Sequence, residues 1–235
     1  MAKLLPWVIM PSEWIRNGGL KKFKWAGESP SDNTAALMTL APILHRADRE
    51  TGLAKLTYDD LQLATTLSRS KISAGLEMLE HRKLIERGHD GRSTFLLSDF
   101  NPSFGWAKLP ARDLYRDKTV MFFEELKLRS RVELEALKLW YFFAARRDND
   151  VNLAKVTYDH ITDGTGIRRE RIKGGLSLLA ANAMVHVERI PSRHSEYGVA
   201  NAYRLPQIDP SRHMGSVGRG MSIFDDFDFV EAPGL

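Results

Sequence analysis

Residues 54–85 read AKLTYDDLQLATTLSRSKISAGLEMLEHRKLI, and residues 154–185 read AKVTYDHITDGTGIRRERIKGGLSLLAANAMV. At an offset of 100, eleven of these 32 positions are identical: Ala54, Lys55, Thr57, Tyr58, Asp59, Thr65, Arg69, Ile72, Gly75, Leu76 and Leu79 each find their partner. The match continues upstream through Leu37/Leu137, Arg46/Arg146, Asp48/Asp148 and Leu53/Leu153, and at an offset of 99 WVIMP (7–11) matches WAKLP (106–110). Solenoid repeats recur at about 20–50 residues, so a period this long indicates two copies of one domain. A chain of 235 residues has room for both.

The seam between the copies falls at SDFNPSFG (98–105), a cluster of turn-forming residues followed at once by the second Trp. The expected division is residues 1–103, residues 104–207, and a linker with an acidic tail over 208–235. Each copy has the same coarse order. A Trp-led segment (7–23 and 106–128) comes first. A long apolar-periodic helix follows, near 33–48 and 131–147. In the second copy Val132, Leu134, Leu137, Leu139, Trp140 and Phe143 make that helix apolar on nearly all sides. Two shorter helices come next. Each copy ends in two β-like runs, 84–87 with 94–97 and 185–190 with 200–205, around polar turns.

Thr57 and Thr157 stand where a helix N-cap belongs, with Asp59 and Asp159 in the first turn, where the helix dipole favours an anion. Ala64 and Gly164 are the small residues of a close helix crossing. Leu67 and Ile167 plug the polar turn that follows. The next helix buries Ile72, Leu76 and Leu79, or Ile172, Leu176 and Leu179. Gly75 and Gly175 each forfeit about 1 kcal/mol against Ala in mid-helix, so both are expected to pack closely on the long helix. The fold class expected is α+β, mostly α: two tandem winged helix-turn-helix domains related by the internal repeat.

The residues that the core does not need carry the functional expectation. Ser68, Arg69, Ser70, Lys71 and Ser73 surround the start of the second short helix in copy one. Arg168, Arg169, Arg171 and Lys173, with Glu170, do so in copy two. In helix-turn-helix proteins this end enters the major groove, and the fork of Arg matches the O6/N7 edge of guanine. The dipole alone would favour acids there, so finding bases in both copies argues for DNA over a merely solvated face. Arg92 in the first wing, with Arg193 and His194 in the second, suit phosphate or a narrow minor groove. Lys55 and Lys155, just ahead of the first short helix, are candidate phosphate clamps.

Charge agrees. The net charge of +4 understates the body, because the last fifteen residues hold Asp225, Asp226, Asp228 and Glu231 and no base, leaving +8 on residues 1–220. There is no cysteine, hence no disulfide, thiolate metal site or cysteine nucleophile. GxxxxGK[ST], HExxH and GxSxG are absent, the seven His share no ligand spacing, and GSVGRG (215–220) follows no strand. No enzymatic role, cofactor or metal is expected. With no apolar run near 18 residues and no cleavable leader, the expectation is a cytoplasmic protein without a membrane partner.

The frame W-x-x-[LM]-P, a long helix, AK[LV]TYD, G-L-x-x-L and a wing resembles the winged-helix modules of plasmid and phage replication proteins. In tandem, it is similar to plasmid replication initiators with two such domains. The resemblance spans nearly all of 7–205. It implies sequence-specific binding of double-stranded DNA at an imperfect repeat, in replication initiation or transcription regulation of a mobile element. It points to Arg69, Lys71, Arg169 and Arg171 as readers of bases or phosphates. Monomer and homodimer both stay open. The alternative is a protein-bridging subunit resembling the accessory subunits of chromosome-condensation complexes. The tail Phe224, Asp225, Asp226, Phe227, Asp228, Phe229 resembles the acidic, phenylalanine-bearing tips with which bacterial single-stranded-DNA-binding proteins recruit partners. That implies a protein partner; an internal mimic of DNA charge and local packing are the competing readings.

Overall fold

The computed structural model describes residues 4–88, 93–191 and 199–208. It is α+β and mostly helical. The first half runs β1 (Trp7–Pro11), α1 (Glu13–Arg16), a 3-10 turn (Gly19–Lys22), α2 (Ser31–Arg46), β2 (Leu53–Lys55), α3 (Tyr58–Thr65), α4 (Arg69–His81), β3 (Ile85–Arg87) and β4 (Thr94–Leu97). The second runs β5 (Trp106–Pro110), a 3-10 turn (Arg112–Leu114), β6 (Tyr115–Arg116), β7 (Thr119–Val120), α5 (Met121–Glu124), α6 (Arg131–Arg146), α7 (Tyr158–Thr165), α8 (Arg169–Ala181), β8 (His186–Pro191) and β9 (Val199–Arg204). A last 3-10 turn covers Pro206–Ile208.

The long helices form the centre. Every residue of α2 from Asn33 to His45 is buried, and so is every residue of α6 from Glu133 to Ala145. Most of these positions are apolar, as suits a helix covered on all sides, with a few buried polar groups such as His45, Glu135 and Lys138 among them. Each long helix is covered by its own short helix, α4 on α2 and α8 on α6, and by the other long helix. The Tyr141 hydroxyl donates to the Leu37 carbonyl at 2.9 Å across that contact. The expected end of the first helix at 48 is two residues late, because Ala47 already turns extended (ψ 136°). Beyond it, Asp48 Oδ1 accepts from the backbone N–H of Glu50 (3.0 Å) and Thr51 (2.8 Å), holding the carboxyl below its usual range. Asp148 repeats the turn with Asp150 and Val151. That shared geometry accounts for the identity of the two aspartates.

In the first half the sheet order is β2-β4-β3, antiparallel throughout. In the second, β8 and β9 pair over six residues, and the counterpart of β2 shrinks to one bridge, Ala154 to Tyr203. Tyr203 stacks on Phe143 of α6 with ring centroids 4.2 Å apart, tying that hairpin to the core.

The segments ahead of the long helices are exchanged between the halves. Strands β1 and β5 pair antiparallel over five residues, Trp7 opposite Pro110 and Pro11 opposite Trp106, with the two indoles stacked at 6.1 Å. The 19–22 turn packs on α7, and β7 packs on α3. Arg16 reaches the carbonyl of Ala145 at 3.5 Å, while the Tyr115 hydroxyl lies 2.8 Å from His45 Nδ1. Lys138, buried in α6, donates to the Phe23 carbonyl at 3.0 Å, and burial pushes its ammonium down to about 8. Buried apolar residues of both halves therefore join in one continuous cluster. Among the described residues no helix is long and apolar enough to cross a membrane.

Candidate nucleic-acid interface

The surface in question is built upward from α3 and α7. Thr57 caps α3 by accepting from the Asp60 N–H at 3.1 Å, and Asp60 returns the bond by accepting from the Thr57 N–H at 3.0 Å. Asp60, rather than Asp59, is thus the acid that closes this helix start. In α7 Thr157 accepts from the His160 N–H at 3.2 Å, with no carboxylate to answer. The turns that follow are stitched by one buried hydroxyl each. Thr65 donates to the Leu61 carbonyl (2.6 Å) and accepts from the Leu67 N–H (3.3 Å); Thr165 does the same with Ile161 (2.5 Å) and Ile167 (3.1 Å). Left-handed residues, Thr66 (φ 60°) and Gly166 (φ 70°), end the helices. Leu67 and Ile167 are buried beneath the turns.

Helices α4 and α8 then lie close on the long helices. A Cβ on Gly75 would stand 3.1 Å from the backbone of Ala35 and Ala36; on Gly175 it would meet Leu139 Cδ1 at 2.8 Å and the Ala136 nitrogen at 3.3 Å. Close packing is therefore the reason for both glycines. Ile72, Leu76 and Leu79, and their counterparts Ile172, Leu176 and Leu179, face inward, which turns the opposite side of each helix start to solvent.

On that side Ser68, Arg69 and Ser70 are exposed in the first half, and Arg168, Arg169, Glu170 and Lys173 in the second. Two details temper the charge. Arg69 pairs with Asp59 at 2.5 Å, and Arg169 with Asp159 at 2.5 Å, each bridging from the second short helix to the first. All four side chains are at least 64% exposed, so water screens these pairs and they are readily exchanged for another anion. Arg169 also lies over the Tyr158 ring at 5.6 Å.

Lys71 and Arg171 are held differently. Lys71 Nζ donates to Asp32 (2.6 Å) and Ser31 (2.8 Å) at the start of α2, and Arg171 sits 3.4 Å from Glu135 of α6. Burial pushes the Glu135 carboxyl above its usual range, and Arg171 opposes that shift. Both cations brace the second short helix against the long one. Ser68 caps α4 through the Lys71 N–H, and Ser73 donates to Glu77 at 3.1 Å. Lys55 is exposed at the end of β2, and Lys155 is half-buried ahead of α7. Arg92, Arg193, His194 and the tail residues Phe224 to Phe229 lie outside the described residues.

The exchange adds cations that the helix pattern alone did not reveal. Lys21 Cγ is 3.5 Å from where a Cβ of Gly166 would be, so an exposed lysine of the first half stands at the α7–α8 turn of the second. Lys118 stands correspondingly beside α3, where it reinforces the low carboxyl range that the Thr57 hydrogen bonds give Asp60. The run KKFK (21–24) was a visible signal of charge, but not of where that charge would land.

The chain matches no family model and no curated protein. Among the described residues no cluster of three or more His, Asp or Glu is arranged to hold a metal ion. A cleft lined by Trp14, Leu40, Leu44 and Leu84 measures about 20 Å³, room for one water molecule.

Proposed function

We propose that the chain is a non-enzymatic, sequence-specific binder of double-stranded DNA that acts through two winged helix-turn-helix units, 1–103 and 104–207. Its role is replication initiation or transcription regulation of a mobile element. The observation that carries this reading is the exposed, cation-bearing start of α8, with Arg168, Arg169 and Lys173 outward and Lys21 beside the turn that leads into it. Cations at the N-terminal end of the second helix, in a helix pair followed by an antiparallel hairpin, suit contact with phosphates and guanine edges. Lys71 and Arg171 support that surface from behind, by fixing the pitch of the helix on its scaffold.

A genome-fragment pulldown with the full chain, followed by footprinting of the enriched duplex, tests the proposal. A discrete footprint at an origin or a promoter selects initiation or regulation. Binding through several phosphates should also weaken steeply with salt.

One observation favours a protein-bridging role instead. The first half shows a single arginine at its helix start, already paired with Asp59. On that reading no duplex is enriched, and binding of a protein partner survives high salt.

A further inference from the structure

We infer that a single chain occupies an imperfect inverted repeat, one half-site per helix pair. This rests on the DNA-binding reading above and adds the symmetry of the target to it.

The symmetry follows from register. Residues of β1 correspond to those of β5 at an offset of 99, and the middle pair of their ladder is Ile9 opposite Lys108, which are themselves counterparts. Two equivalent strands paired antiparallel about equivalent residues are related by a two-fold axis through that pair. Contacts far from the strands obey the same axis. Offset by 99, the 19–22 turn becomes 118–121, and these segments pack on α7 and α3 respectively. Arg16 with Ala145 and Tyr115 with His45 likewise join equivalent positions, 16 with 115 at an offset of 99 and 45 with 145 at an offset of 100, though through different chemical groups. Four elements and two pairs of contacting positions thus repeat by rotation rather than by translation.

A rotation of this kind sets α4 and α8 at equal heights along the axis and reverses the part of each helix's direction that lies across it. A duplex lying across the axis presents the same groove geometry to both only when its half-sites are inverted, because operator palindromy mirrors protein two-fold symmetry. A tandem array related by translation would instead demand a direct repeat. The axis lies within one chain, so no second copy is needed to complete the site. It is also imperfect at the reading surface. Ser68, Ser70 and Ser73 stand where the other half has Arg168, Glu170 and Lys173, so the half-sites differ in sequence.

The test is selection of duplexes from a random pool with the full chain, with the stoichiometry of the selected complex read by sedimentation. The expected result is two unlike half-sites in inverted orientation, bound by one chain. Reversing one half-site in the selected duplex should weaken binding at least about tenfold, because several bases are then misread at once. In the triple variant Arg168→Ser, Glu170→Ser, Lys173→Ser the selected motif should become more nearly palindromic, while the melting temperature shows that the fold is kept. Half-sites in direct orientation, a lone half-site, or two chains on one inverted repeat would overturn the inference and leave DNA binding standing. A pool with no enrichment would remove both.

Discussion

Single residues at the candidate interface carry two kinds of burden, and substitution separates them. Arg169 is exposed, and its direct pair with Asp159 and its place over the Tyr158 ring are both screened by water, so Arg169→Ala should leave the melting temperature nearly unchanged. On a mapped site it should weaken binding by about 1–3 kcal/mol if it reads a base. Anisotropy titrations of wild type and variant on that site measure this; unchanged affinity removes Arg169 from the interface. Thr66 carries the second kind of burden. It is a β-branched residue held at φ 60°, where its counterpart is Gly166 at φ 70°. A left-handed backbone costs an L side chain about 1–2 kcal/mol, and glycine gives part of that back in unfolded-state entropy. Thr66→Gly is therefore expected to stabilise by about 1 kcal/mol in denaturant titration, and Gly166→Thr to destabilise. At this scale the sequence was partly legible. Thr57, Leu67 and Gly75 announced their roles by type and spacing. The Arg69–Asp59 pair did not, because the partners are ten positions apart along helix and turn and only the folded turn closes that distance.

Among elements, the decisive contact is the second short helix on the long one. Gly75 faces backbone atoms of Ala35 and Ala36 at 3.1 Å, and backbone does not step aside as a side-chain end does. Gly75→Ala should thus lower stability by about 1–3 kcal/mol through overpacking, outweighing the gain of about 1 kcal/mol in helix propensity. Thermal melts with circular dichroism give the sign; a higher melting temperature would mean that α4 slides on α2 without loss. Helix positions were readable because caps, apolar spacing and the hundred-residue repeat agreed with one another. The shrinkage of β2's counterpart in the second copy to a single bridge at Ala154 was not, because AKL and AKV give the same signal by pattern.

Over the whole molecule, the exchange of leading segments is what sequence could not disclose. The repeat shows that two Trp-led segments exist, but nothing in their composition says which long helix each covers. Its energetic signature is acid sensitivity at the junction. Burial against the Tyr115 segment pushes His45 down to about 3, so the folded chain keeps it neutral where the unfolded chain, near 6.5, takes up a proton. The unfolded state binds more protons between those values, and stability falls as pH drops through that window. From pH 7 to 5 the loss from His45 is about 2 kcal/mol. Urea titrations over that interval should show the slope, and His45→Gln should flatten it, since the paired carboxylates act at lower pH.

The same exchange has a consequence during synthesis. The inward side of α2 is closed by α6, and its far end by the segment around Tyr115, both of which leave the ribosome after the first hundred residues. A nascent first half therefore holds an uncovered apolar flank while the second is still being translated. Packing of the first half is therefore completed only once the second half supplies its cover, α2 waiting on α6 and the 19–22 turn waiting on α7.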